Sequence, residues 1–224
     1  MIRILHKNIQ QEIILKKDIL NILCIENQEF YREVLYGLNN QLENNEEYFC
    51  FFDDKNEELN ASKYCCLIEN PLHVTLDEKK LTMYIQKDLS VHADVNDYEN
   101  YETLLNKISE YLDSLTYDYP VKLKFDAELS LLAFLKAFSV GYDGTEDSYL
   151  QYLLQKIKVL NTVFGYSVFC IVNLYDYLDN IELETFKKEI DLMEVDVFVI
   201  SSHMPIDKLE FENIIHIDKD LCEI

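Results

Sequence analysis

A nearly unbroken apolar run, Ile19–Ile25, leads almost directly into apolar side chains at helical spacing: Phe30, Val34, Leu35, Leu38 and Leu42. A strand that is apolar at consecutive positions has to be covered on both faces. In soluble proteins this means a parallel sheet flanked by helices. The alternation returns near the other end of the chain. Val168–Leu174 and Val195–Ile200 are buried-strand candidates on either side of a helical stripe formed by Leu183, Phe186, Ile190 and Met193, and Ile214–Ile217 is a last strand. Tyr48–Phe52 and Tyr64–Ile68 read as further strands, ended by Asp53-Asp54 and Asn70-Pro71, and Ile2–Leu5 with Ile13–Leu15 reads as a hairpin. With only 4 glycines and 3 prolines in 224 residues, a turn-dense all-β architecture is excluded.

The middle of the chain follows a different period. Asp77 is placed to cap a helix carrying Leu81, Tyr84, Ile85 and Leu89. Leu104, Leu105, Ile108, Tyr111, Leu112 and Leu115 form one stripe and predict a helix from Tyr98 to Leu115. Asp126 is expected to cap a second helix with Leu129, Leu132, Leu135 and Phe138. After a turn at Gly141–Gly144, Tyr149, Leu153, Ile157, Leu160 and Phe164 predict a third. Three helices without an intervening strand predict an α-helical subdomain at 98–164, inserted into an α/β core built from 1–97 and 165–224.

Strand, tight turn and amphipathic helix is how nucleotide-binding α/β folds begin, so the turn Ile25–Phe30 decides whether a nucleotide can bind. A phosphate loop needs glycines, so that backbone amides can face the phosphates, and a lysine. This turn has neither, and it puts Glu26 and Glu29 where phosphates would lie. Where a metal-binding aspartate should end the later strand, the chain has Asn173. The fold expectation is a degenerate phosphate-loop NTPase-like sheet domain that lacks the chemistry of ATP hydrolysis. Ser201-Ser202-His203 also follows a strand, but no Gly-x-Ser-x-Gly turn is present, and the cluster reads as a loop cap.

The six cysteines form no C-x-x-C pair and mostly sit in apolar runs such as Phe49-Cys50-Phe51, as small buried hydrophobes. The five histidines, His6, His73, His92, His203 and His216, show no zinc-ligand spacing. No signal peptide or membrane-spanning run is visible, and a cytoplasmic protein is expected.

Charge is the outlier. Twenty basic residues against 42 acidic ones give 20 − 42 = −22, which on average repels nucleic acid. The distribution is uneven: residues 1–120 carry 11 − 23 = −12, residues 161–224 carry 4 − 14 = −10, and residues 121–160 carry 5 − 5 = 0. The neutral stretch holds Lys122, Lys124, Lys136, Lys156 and Lys158. If extended, Lys122 and Lys124 share a face. Lys156 and Lys158 lie about 200° apart on a helix and cannot both face one channel.

The order of segments resembles the small type II-A CRISPR adaptation protein family over essentially the whole chain. The best stretches are Ile19–Phe30 with its glycine-free turn, Leu131–Val140, and Val168–Leu174 followed by Tyr177-Leu178. The resemblance implies an ATPase-like core without ATPase activity, interrupted by a helical subdomain. It implies homotetrameric rings whose lysine-lined opening takes double-stranded DNA ends without reading sequence. It implies calcium as cofactor, held by acids of the helical region, and work alongside the CRISPR integrase subunits and the effector nuclease. Lys136, within the matching Leu131–Val140 stretch, is the leading DNA contact, with Lys122, Lys124 and Lys156 as further candidates. Asp126, Glu128 and Asp118 are the candidate calcium ligands, although calcium needs six to eight oxygens and this spacing supplies few. Two other function classes compete. One is an acidic protein-interaction scaffold without DNA binding of its own; the other, weakest, is a residual nucleotide switch.

Overall fold

The computed structural model describes residues 2–224 apart from 18, 45, 94, 127 and 206–208, with the backbone alone at Val95. The first strands, β1 (Ile2–His6) and β2 (Ile9–Leu15), pair antiparallel as the expected hairpin, with a register shift between Ile4 and His6. β3 (Leu20–Ile25) is buried at every position, as its continuous apolar sequence requires. It leads into α1 (Gln28–Asn44), which buries Phe30, Val34, Gly37, Leu38 and Gln41. Next come β4 (Phe49–Phe52), the two-residue β5 (Glu58–Leu59), the short α2 (Ala61–Tyr64) and β6 (Cys65–Ile68).

The helical region contains α3 (Glu78–His92), α4 (Val95–Thr116) and α5 (Leu131–Ala137). α6 (Tyr149–Phe164), β7 (Val168–Val172), α7 (Asn180–Leu192), β8 (Asp196–Ser201) and β9 (Glu212–Ile217) complete the chain. Asp77 caps α3 as expected, its carboxylate accepting from Lys80 N at 2.9 Å.

Two sheets result. One is antiparallel, in the order β2-β1-β4-β5; the other is wholly parallel, in the order β6-β7-β8-β3-β9. The main core joins Phe30, Val34 and Leu38 of α1 to Ile4, Ile13, Phe49 and Phe51 of the antiparallel sheet. The same core takes Leu23, Val168, Cys170, Phe198 and Ile200 from the parallel sheet. The alternate residues Ile22, Cys24, Phe169, Ile171, Val197 and Val199 are buried as well, so the second face of the parallel sheet is also covered. α7 packs against β8 there and α6 against α7, burying Leu153, Ile157, Leu183, Phe186 and Ile190.

Gln41 is a buried polar side chain with a defined job. Its carboxamide accepts from Phe49 N at 2.8 Å and donates to Phe49 O at 2.6 Å, tying α1 to the first residue of β4. Cys24, Cys65 and Cys170 are buried as small hydrophobes, Cys50 and Cys66 are partly buried, and Cys222 is exposed. Burial pushes the Cys65 thiol up to about 12, and burial with the neighbouring Glu26 pushes Cys24 up to about 11, so neither forms thiolate readily.

The chain divides into two compact units, 76–144 and the remainder, 1–75 with 145–224. These boundaries differ from the expected 98–164. Helix α6 was expected in the insertion, but its buried stripe packs on α7 in the sheet unit. Helix α3, expected in the core, belongs to 76–144, where Gln86 Nε2 donates to Val140 O at 2.9 Å. A helix stripe shows that a face is covered without saying by what. The expected cap at Asp126 also moves. Helix α5 begins at Leu131, and Ser130 is its cap, accepting from Ala133 N. Asp126 instead accepts from Glu128 N at 3.0 Å within the irregular segment before it. A short acid followed by polar residues closes a local turn as readily as it starts a helix.

Candidate nucleic-acid interface

In open α/β sheets, ligands bind beyond the carboxyl ends of the parallel strands. Here that edge is occupied by the chain's own side chains. After β3, the Asn27 carboxamide accepts from Glu29 N at 3.1 Å and Phe30 N at 3.0 Å, and it donates to Lys219 O at 2.9 Å. These are first-turn amides of α1, the groups that would cradle a phosphate. Glu29 adds a carboxylate in the same turn, and Glu26 pairs with His216 at 3.1 Å. After β7, Asn173 adopts a left-handed conformation with φ 49°, and its carboxamide accepts from Ser202 N at 3.0 Å and Tyr31 OH at 3.3 Å. It pins strand ends together where a metal-binding carboxylate would be needed. A calorimetric titration with ATP and magnesium is therefore expected to give no saturable heat at millimolar nucleotide. Stoichiometric binding would overturn this account of the edge.

The Ser201–His203 cluster behaves as the expected loop cap, with one addition that sequence could not supply. Ser201 Oγ donates to His203 O at 2.6 Å. His203 Nε2 lies 3.0 Å from Asp176 Oδ1, and its Nδ1 lies 3.2 Å from Ser202 Oγ. Hydroxyl, imidazole and carboxylate thus converge. However, Ser202 N is bound to Asn173 and His203 N to Ser201 Oγ at 3.3 Å, so neither amide is free to stabilise an oxyanion. The arrangement braces a loop.

The candidate DNA contacts divide between the units. Lys136 is exposed in the last turn of α5, and Lys122 and Lys124 are exposed in the irregular segment between α4 and α5; all three belong to 76–144. Neither Lys122 nor Lys124 lies in a strand, so the shared face expected of an extended pair is not imposed by a sheet. Lys156 belongs to the sheet unit, partly buried on α6 with its ammonium 5.3 Å from the Tyr152 ring centre. The same unit carries exposed apolar side chains, of which the sequence pattern places Leu115 and Phe138 in helix stripes. Leu115, Tyr117, Tyr119, Val121 and Phe138 are all more than half exposed.

Among the described residues the candidate acids do not gather into a metal-holding group within one chain. Asp118, Asp126 and Glu128 are exposed, and among the described residues no group of three acidic, histidine or cysteine side chains is placed to hold a metal. One Asp carboxylate turned onto a backbone amide falls well short of six to eight oxygens.

The model of the CRISPR-associated protein (Cas_Csn2) family matches residues 41–221. The chain belongs to this family. Its role is thereby in CRISPR adaptation. The Cas_Csn2 match takes in every candidate lysine and acid named above. It begins within α1, so the turn at 26–29 lies outside it. No curated protein matches the chain. Among solved structures, one described as a "Putative ABC transporter (ATP-binding protein)" from Pyrococcus furiosus is similar at 10% identity. That similarity covers 95% of this chain and 96% of the other, with a TM-score of 0.41. The α/β assignment rests on the parallel sheet itself. Among the described residues, no helix is long and apolar enough to cross a membrane.

Proposed function

We propose that this protein is a non-catalytic binder of double-stranded DNA ends, acting without sequence preference as a homotetrameric ring during spacer acquisition. What supports it most directly is the surface of the 76–144 unit. Leu81 and Tyr101 are its buried apolar side chains among the described residues, while many large apolar groups of α3, α4 and the following segment are exposed. Such a surface is expected to be covered by other copies. Lys122, Lys124 and Lys136 lie in the same unit, in or beside the neutral part of an otherwise acidic chain. An acidic exterior keeps DNA off the remaining surface, so contact through these lysines favours a threaded end. The contacts would be to phosphates, which position a duplex without reading its bases.

Calcium enters this proposal between copies. Among the described residues no three acidic, histidine or cysteine side chains of one chain are placed to hold an ion, so Asp118, Asp126 or Glu128 would do so together with carboxylates of a second copy. An ion bound this way stabilises the assembly by mass action. The integrase subunits and the effector nuclease are the proposed partners, by virtue of the family.

A gel shift with blunt linear and closed circular DNA tests the reading, with light scattering to follow the assembly. Linear DNA is expected to bind and circular DNA to bind far less, with a tetramer favoured by calcium over equal magnesium. Equal binding of both topologies would remove threading. No binding of either at low salt with calcium would leave the acidic scaffold as the function.

A further inference from the structure

We propose that a cavity beyond the carboxyl ends of β7 and β8 docks a segment of a partner protein in which an apolar side chain is flanked by lysine or arginine. The cavity has a volume of about 540 Å³. The buried Leu178 and Leu183 contribute to it, and so do Pro205, Met204 and Ile181, the last of these 76% exposed. Among the described residues its charged members are Asp176, Asp179 and His203, and none is a lysine or arginine.

The acids are held in place. Asp179 Oδ1 accepts from Ile181 N and Glu182 N, both at 2.9 Å, and Asp176 is braced by His203 at 3.0 Å. The same capping box turns Glu182 toward Asp179 N at 3.1 Å, adding a third carboxylate beside the cavity. Fixed carboxylates over an apolar floor are preorganised for a cation carried on an apolar body.

Charge decides among occupants. A phosphate or nucleic acid would meet the carboxylates of Asp176 and Asp179 and, among the described lining residues, no lysine or arginine. A second copy docked through the same face would meet a like charge, since residues 161–224 carry 4 − 14 = −10. A free inorganic cation would leave Ile181 and Met204 uncovered. A basic segment with an apolar anchor satisfies both halves of the site. This docking is independent of the DNA-end reading: none of the candidate DNA-binding lysines, Lys122, Lys124, Lys136 or Lys156, lines the cavity.

The test uses the full-length protein and a fluorescein-labelled peptide, Lys-Arg-Phe-Arg-Lys, followed by anisotropy at low salt. Saturable binding is expected. Combining Asp176→Asn with Asp179→Asn should weaken it at least tenfold, because asparagine keeps the cap of α7 while removing charge. Ile181→Ser, at an exposed position, should weaken it severalfold without affecting the fold, with circular dichroism and thermal melts as checks. Glu43→Gln, an exposed acid at the end of α1, should leave binding unchanged. Equal affinity in the double variant overturns the proposal, as does equal binding of Lys-Arg-Ser-Arg-Lys or an equal loss in Glu43→Gln. Binding of fluorescein-labelled short duplex DNA that is lost in Ile181→Ser, or loss of self-association in that variant, would overturn it in favour of a nucleic acid or a second copy.

Discussion

Lys136→Glu is expected to weaken binding to double-stranded ends at least tenfold, by the same factor for every sequence, and to leave the oligomer intact. The side chain is exposed in the last turn of α5, and the charge change places a carboxylate where a phosphate would approach. The salt dependence makes the test sharper than the affinity alone. Each lysine–phosphate pair releases counterions, so Lys136→Gln should lower the slope of log affinity against log salt by about 1 for each phosphate left without its lysine. Lys55→Glu, exposed in the loop after β4, makes the same change in net charge far away in sequence and should have little effect. If Lys55→Glu weakens binding as much as Lys136→Glu, the effect is overall charge, and Lys136 does not touch DNA. A loss confined to some sequences would show that bases are being read.

Gln41→Leu should destabilise the sheet unit by about 2–4 kcal/mol, although it exchanges side chains of similar size for a more apolar one. The carboxamide satisfies both the N–H and the C=O of Phe49, at 2.8 and 2.6 Å, and the residue is 8% exposed. Leucine would leave two buried backbone groups without these partners, at about 1–3 kcal/mol each before relaxation. Urea unfolding followed by circular dichroism measures the difference. A loss below about 0.5 kcal/mol, within the range of an ordinary surface substitution, would show that water or a shift of β4 replaces the two bonds.

Why some of this is legible from sequence, and some is not, follows from the range of each signal. β3 announces itself because a strand buried at every position cannot be written with polar residues. α6 matches its predicted span because its stripe is regular and Gly165, at φ 82°, ends it. The placement of α6 in the sheet unit is invisible, since a periodic stripe carries no address. Gln41 escapes notice because its partners are backbone atoms, which leave no mark in the sequence of β4. Asp176 and His203 are likewise separate residues until the strand ends bring them together. The glycine-free turn at 26–29 is legible as hostile to phosphate. That Asn27 itself holds the first amides of α1 needs the geometry. Counting charge along the chain picks out the neutral stretch that holds Lys122, Lys124, Lys136, Lys156 and Lys158, and it is the resemblance that puts Lys136 first. The exposure of Tyr117, Tyr119 and Val121 does not emerge, because an apolar residue at the surface is spelled the same way as one in a core.

The self-occupied edge has a consequence for how such a molecule can be controlled. A fold of this kind with a nucleotide can be driven around a cycle, because cleavage makes one direction irreversible. If the titration with ATP and magnesium gives no saturable heat, as the engagement of Asn27 and Asn173 by the chain itself leads us to expect, that edge supplies no fuel and no clock. Every state the protein reaches through it must be reversible, and its lifetime on a ligand is set by dissociation alone. Anything that favours one assembly must itself bind that assembly better, and by the same factor it is held more tightly in return. Such a protein waits at equilibrium, and timing has to come from the molecules that arrive.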